Sequence, residues 1–260
     1  MAATVDQWRP SLVDPIIPAR GSSLAADDRA YPDYAASQVA WTGIRSAIDA
    51  TAMFFTSLAA DQTPHETGHR ALTRAGLTDA ALAVFVLAGD RPTRIRPALR
   101  AAHDDLGAME RAIRDLHAAR WSDPSSEQEG DDERWQATFQ HIDKRRDRLR
   151  AAADAAGLSY AALKRPPTFR EMVDYAAGQV PDDRGDDLLY ALRMSLVQLN
   201  AASHSLRWHA ILTATHAVDT PEGTRARLVT TATDLFLAAG GAMTLAPRAL
   251  ELFRARAKPP

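Results

Sequence analysis

The sequence predicts an all-α protein: an irregular bundle of seven or eight helices preceded by an extended N-terminal arm. Apolar residues recur at the three- and four-residue spacing of helices in one segment after another. Alanine is abundant, and arginine supplies all but three of the 31 basic residues; both are strong helix formers. No run alternates apolar and polar residues with β-branched side chains, so essentially no sheet is expected.

Composition and charge limit the classes of function. The 260 residues are 46% hydrophobic and 25% charged, as in ordinary globular proteins. The absence of cysteine excludes disulfides, thiolate metal sites and cysteine nucleophiles. A net charge of −2 gives no overall field that attracts nucleic acid, so RNA is a possible partner that the charge does not indicate.

The start of the chain shows no basic segment followed by a long apolar run, as a secretory signal would. The uninterrupted apolar stretches are too short to cross a bilayer. We therefore expect a cytoplasmic protein without a membrane partner.

Two regions separate the predicted helices from irregular chain. Residues 1–34 contain Pro10, Pro15, Pro18 and Pro32 and no sustained periodicity, which predicts an extended arm. Residues 35–260 are then expected to form a single helical domain. The polar stretch WSDPSSEQEGDD makes a subdivision possible near 121–132.

The first half of the domain shows three helical segments. Apolar spacing predicts helices over 35–60 and 63–88, the second opening at Thr63. A third helix is predicted to open at Pro97, because proline favours the first turn. It continues with regularly spaced apolar residues as far as Leu116.

The middle of the chain adds two predicted helices. One covers 133–156, acidic at its start and basic in Lys144–Arg150, which complements the helix dipole at both ends. Gly157 is its predicted C-cap, and Arg165-Pro166-Pro167 predicts a loop. A short helix follows over 169–179.

The C-terminal part is predicted to hold the longest and most apolar helix, over 186–218, with Leu192, Leu196, Leu199 and Leu206 buried. Thr220-Pro221-Glu222 is predicted to start another helix that reaches Ala239. A last helix ends near Ala257.

The segment HETGH, His65 to His69, is the most conspicuous candidate site. Two histidines four residues apart on a helix bind zinc in zincin peptidases, with the intervening glutamate (here Glu66) as general base. The competing interpretation is a capping box, in which Thr63 and Glu66 cap a helix whose first residue is Pro64. We favour the capped start, in an exposed first turn, and predict no metal and no cofactor.

Two further polar groups have simple structural interpretations. His103, Glu110 and His117 are seven residues apart, about 10 Å along a helix, too far for one ion. A polar edge is therefore favoured over a metal site. The segment KRRDRLR, Lys144 to Arg150, could contact phosphates, but we favour a solvated helix face.

A polar seam borders the apolar stripe of the predicted long helix. Its members, Arg193, Asn200, His204 and Arg207, lie near one face. Such a group can hold a phosphate or move a proton, or it can be a structural hydrogen-bond network. If the seam meets a twofold copy of itself, His204 and the arginines of two chains would converge in one cleft.

The sequence LNAASH, Leu199 to His204, resembles a degenerate form of the Arg-Asn-x-x-x-His signature of HEPN domains. Members of that family are small all-α domains that commonly dimerise, and many are ribonucleases of toxin–antitoxin and phage-defence systems. Asn200 and His204 match the motif. Leu199 stands in place of its arginine, so Arg193 or Arg207 would have to substitute.

A broader resemblance covers roughly residues 60–255. PHETGHRALTRAG, DRPTRIRPALRAAHDDL, the loop at Pro166 and LNAASHSLRWHAIL are similar to a group of uncharacterised helical proteins of actinobacteria. The resemblance implies that HETGH is not a metal motif, and it implies no activity.

Three functional hypotheses follow from these residues. The leading one is a non-catalytic helical interaction protein, a homodimer with a HEPN-like C-terminal half that can also bind a further protein partner. The first alternative is a HEPN-type ribonuclease that uses His204 with Arg193 or Arg207. The second is a zinc hydrolase that uses His65, Glu66 and His69.

Overall fold

Helices dominate the fold, as the sequence predicts. The computed structural model describes residues 8, 14–61, 65–121, 131–181, 188–195, 199, 214–220, 223–228 and 232–259. The helices are α1 (Ser23–Ala30), α2 (Ala36–Asp61), α3 (Glu66–Leu87), α4 (Arg91–Trp121), α5 (Asp131–Ala155), α6 (Phe169–Ala177), α7 (188–195) and α8 (Ala232–Ala257). Short 3-10 helices lie at Pro32–Tyr34 and Tyr160–Leu163.

The main core lies where α2, α3 and α8 pack together, and α3 also contacts α4 and α6. Trp41 of α2 packs against Phe253 of α8 in a tilted arrangement, with ring centroids 5.4 Å apart. A second cluster joins α4 to α5 through Leu99, Leu106 and Leu149. Each such fully buried side chain contributes about 1.5–3 kcal/mol to folding, so apolar burial fixes how these helices pack.

The prediction of an extended arm over 1–34 is wrong for residues 23–30, which form α1. The hydroxyl of Ser22 caps this helix by accepting a hydrogen bond from the Ala25 amide at 3.1 Å. Leu24 is fully buried and anchors α1 against the core. The segment contains five favourable helix formers, Leu24, Ala25, Ala26, Arg29 and Ala30, but the prolines on both sides of it favour the prediction of irregular chain.

Arginine–carboxylate pairs join elements at several interfaces. Arg94 of α4, which is 2% exposed, donates through Nε to Asp27 of α1 at 2.6 Å. Arg100 donates through Nη2 to Glu171 of α6 at 2.9 Å and also to the carbonyls of Arg165 and Pro166. These contacts fix the predicted loop at Pro166, because a planar guanidinium holds several oxygens at once.

Two predicted helix boundaries are wrong. Helix α4 begins at Arg91, six residues before the predicted start at Pro97, and α8 runs from Ala232 to Ala257 as one helix across the boundary predicted at Ala239. Helix α8 also contains Pro247. Proline removes one backbone donor. The buried residues that follow Pro247, including Leu250 and Phe253, hold α8 on the core despite that loss.

The helical predictions over 186–218 and 220–239 are also wrong where the chain forms an antiparallel hairpin. Strand β1 (Ala214–Thr220) pairs with β2 (Gly223–Leu228), and Thr220 lies opposite Gly223. The β-branched Thr215, Val218, Thr220 and Thr224 favour strands. The tetrapeptide TPEG from 220 to 223, interpreted above as a helix start, also has the composition of a turn.

Other local predictions are confirmed. Gly157 follows the end of α5 with φ 69°, the left-handed conformation of a helix C-terminus. Leu192 and Leu199 are buried, whereas Leu196 and Leu206 lie outside the described residues.

Among the described helices, one segment, Leu235–Ala257, is long and apolar enough to cross a membrane by length and composition. Of its most apolar window, 56% is buried inside the bundle. A helix in the core of a bundle passes the same test, so this finding has little weight.

Candidate functional site

The structure places HETGH at the start of α3 and corrects the predicted cap. The N-cap is His65, which makes no side-chain capping bond, and the helix begins at Glu66. The predicted capping box of Thr63 and Glu66 is therefore wrong, because it requires Thr63 as the N-cap and Glu66 three residues into the helix. Thr63 and Pro64 lie outside the described residues. His69 is 2% exposed, so the prediction of an exposed first turn is wrong for this residue.

Both ring nitrogens of His69 have protein partners. The backbone amide of His65 donates to Nδ1 at 2.8 Å, so His69 satisfies a donor at the helix start. Nε2 lies against the Ser57 hydroxyl of α2. A neutral ring that accepts at Nδ1 carries its proton on Nε2 and can donate it to Ser57. A zinc ion at His69 would have to replace one of these partners.

The predicted polar seam is described only at Arg193. Asn200, His204 and Arg207 lie outside the described residues. Arg193 donates through Nε and Nη2 to both oxygens of Asp174 on α6, at 2.8 and 3.0 Å. The hydrogen bonds from Arg193 hold the pKa of the Asp174 carboxyl below its usual range. Arg193 thus joins α7 to α6.

The histidine ladder on α4 packs against neighbouring elements. The ring of His103 lies 5.4 Å from that of Tyr160, and burial lowers the pKa of His103. Glu110 accepts hydrogen bonds from Arg114 and Arg146. His117 contacts the Phe139 ring of α5 at 5.6 Å between centroids. These contacts agree with the predicted polar edge, here between α4 and α5.

The basic segment of α5 makes more protein contacts than a solvated face would. Arg145 donates to the Asp33 carbonyl at 2.7 Å, and Arg148 pairs with the Asp33 carboxylate. Arg146 pairs with Glu110, and Arg150 with Asp147. Intramolecular ion pairs therefore occupy three of its arginines and a carbonyl hydrogen bond occupies the fourth, which weakens the case for a phosphate-binding surface.

A cleft of about 400 Å³ lies where α2, α3, α4 and α5 meet the 3-10 helix Pro32–Tyr34. Its hydroxyl and amide groups come from Tyr34, Gln38, Thr42 and Ser46. Its charged groups come from Asp33, Asp79, Asp105 and Arg145. Val39 and Leu82 add apolar surface. This volume lies within the range of small-molecule sites, about 300–1,000 Å³, and most of the lining side chains are polar or charged.

The most perturbed groups of the cleft are Asp79 and Tyr34. The Ser46 hydroxyl donates to Asp79, but burial outweighs that bond and raises the pKa of the carboxyl. Burial also raises the pKa of Tyr34, and the carboxylates of Asp105 and Asp104 add to the rise. Perturbed ionisable groups in a cleft identify candidate functional sites.

Gly43 explains how Asp79 comes to the wall of this cleft. A Cβ atom at Gly43 would lie 2.8 Å from the backbone oxygen of Asp79, so only glycine allows this approach of α2 to α3. Sequence analysis missed the site. The available signal was Asp79 itself, a carboxylate directly before the apolar run 80–88 in α3.

Comparison of the chain with protein-family models, curated proteins and solved structures found no significant match. The resemblances to HEPN domains and to actinobacterial helical proteins therefore stay predictions. Function is inferred below from this chain's own residues.

Proposed function

We propose that this protein is a non-catalytic helical interaction protein that associates with a second copy of itself through the surface of α7. The observation that carries the proposal is a pair of exposed apolar side chains, Tyr190 and Met194, beside the Asp174–Arg193 ion pair. Tyr190 is 67% exposed and Met194 is 38% exposed.

The composition of this surface suits an interface. Tyr190 and Met194 are four residues apart on α7, so they lie on one side of the helix. Leu192 points the other way, against Gly241 of α8. Tyrosine, methionine and arginine are enriched in protein interfaces relative to the remaining surface.

The charges of the same surface are self-complementary. Asp174 pairs with Arg193 at 2.8 Å and lies 3.6 Å from Arg170. In a twofold dimer each patch meets an identical one. A patch with both a carboxylate and guanidinium groups can therefore pair with itself without repulsion between like charges.

Two of the catalytic routes require a change in the described contacts. A ribonuclease that acts through Arg193 needs that side chain on a phosphate, whereas Arg193 makes a bidentate bond with Asp174. The route through Arg207 lies outside the described residues. The zinc hydrolase needs His69, whose ring nitrogens both contact protein groups. Binding without catalysis requires neither change.

Light scattering coupled to size-exclusion chromatography tests the proposal. We expect the wild-type protein at micromolar concentration to give about twice the 28.3 kDa chain mass. Tyr190→Asp should raise the dimer dissociation constant at least about tenfold, since it places a charge in an apolar contact. Leu116→Asp is the matched control, because Leu116 is 63% exposed on α4.

A wild-type protein that stays monomeric would contradict self-association. Equal weakening by Tyr190→Asp and Leu116→Asp would exclude the surface of α7 as the interface.

A further inference from the structure

We propose that the cleft between α2, α3, α4 and α5 binds a small organic cation whose primary ammonium group pairs with Asp79. This site is separate from the surface of α7, and the inference does not depend on self-association.

The partners of Asp79 are the first reason. At other helix interfaces the carboxylates pair with arginine: Asp27 with Arg94, Glu171 with Arg100 and Asp174 with Arg193. Within the described part of the chain, Asp79 has the Ser46 hydroxyl as its hydrogen-bond donor and no ion pair. Asp79 is therefore a partly buried carboxylate, facing a cleft, whose charge no described arginine or lysine balances.

The charge balance of the lining is the second reason. Arg148 neutralises Asp33, which leaves the carboxylates of Asp79 and Asp105 against the guanidinium of Arg145. That guanidinium already donates to the Asp33 carbonyl and lies 3.8 Å from the Met109 sulfur. A bound monocation would bring the lining to neutrality, whereas an anion would add to the repulsion.

The lining favours an organic ammonium over a metal ion. Among the described residues no three His, Asp or Glu side chains come together as a metal site requires. An ammonium group has three N–H donors, and the Asp79 carboxylate with the hydroxyls of Ser46 and Thr42 supplies acceptors on the cleft wall. Val39 and Leu82 offer apolar surface to the carbon chain of such a ligand.

Binding of a cation at Asp79 should be coupled to the release of protons. Burial raises the pKa of Asp79 in the free protein, and a bound cation favours the ionised carboxylate. Binding should therefore release protons into solution near the pKa of Asp79 and should tighten as the pH rises through that range.

Isothermal titration calorimetry of the full chain with n-butylamine, a monocation with one primary ammonium group, tests the proposal. We expect saturable binding at a one-to-one ratio. Asp79→Asn should weaken it at least about tenfold, the loss expected for a charge-assisted bond. Asp115→Asn, which removes the same charge from an exposed position on α4, should leave it unchanged within about twofold.

A second variant tests the cleft without changing its charge. Thr42 is exposed at the cleft, so Thr42→Trp should fill the cleft and abolish binding while thermal unfolding stays near that of the wild type. Absence of binding to wild type at millimolar amine would overturn the proposal, as would equal affinity of wild type and Asp79→Asn. Tighter binding of the monoanion butyrate than of n-butylamine would overturn it as well.

Discussion

At the scale of single residues, carboxylates at the helix interfaces pair with arginine side chains. Arg94 is the clearest case, because its guanidinium is almost fully enclosed and pairs with Asp27. Removing one partner of such a pair leaves a buried charge, which costs about 3–5 kcal/mol. Asp79 differs in having a serine partner. Because burial raises the pKa of its carboxyl, the free energy of unfolding should depend on pH through this residue.

Asp79→Asn should become more stable relative to the wild type as the pH rises above the ordinary aspartate pKa of 3.8 towards the raised pKa of the folded protein. Below the ordinary aspartate pKa of 3.8, both the folded and the unfolded chain hold the proton. Above it, the unfolded chain releases the proton while the folded state, with its raised pKa, retains it. The free energy of unfolding of the wild type therefore falls with increasing pH in that window.

Urea unfolding at several pH values measures this difference, with Asp115→Asn as the control for removal of a surface charge. A stability difference between Asp79→Asn and wild type that does not change with pH would show that burial of Asp79 has no energetic effect.

At the scale of elements, the apolar periodicity predicts the central helices well. The predicted 35–60 and 133–156 lie within two residues of α2 and α5 at each end. Helix α2 buries an apolar stripe, so its sequence carries the signal directly, whereas 133–156 is indicated by charges that complement the helix dipole at both ends. The prediction failed at punctuating residues, because Pro97 lies inside a helix and the helix start predicted at Thr220-Pro221-Glu222 falls where β1 ends.

Substitution of two helical glycines should have opposite effects on stability. Gly43→Ala places a methyl group 2.8 Å from a backbone oxygen of α3, so α2 and α3 must move apart at a cost of about 1–3 kcal/mol. Gly240→Ala meets no atom within 4 Å and should stabilise the protein by about 0.5–1 kcal/mol, because alanine favours helix. Thermal or urea unfolding measures both changes.

A Gly43→Ala protein as stable as Gly240→Ala would show that the close approach of α2 and α3 contributes nothing to the free energy of unfolding. It would also remove the reason for the position of Asp79 at the cleft.

At the scale of the whole molecule, composition and periodicity predict the all-α bundle but not its sites. The cleft forms from residues of five elements, among them Tyr34, Ser46, Asp79 and Arg145. Its existence depends on how the helices pack, which residue spacing does not specify. The burial of His69 was missed for the same reason, since its partner Ser57 belongs to another helix.

The central claim is that this bundle binds partners and does not catalyse RNA cleavage. The most direct test is the rate at which purified wild-type protein and His204→Ala cleave a structured RNA under single-turnover conditions. We predict no cleavage by either protein above the rate without protein. Cleavage by the wild type that His204→Ala reduces about 100-fold or more, the loss expected for a general acid or base, would contradict the account and establish the ribonuclease alternative.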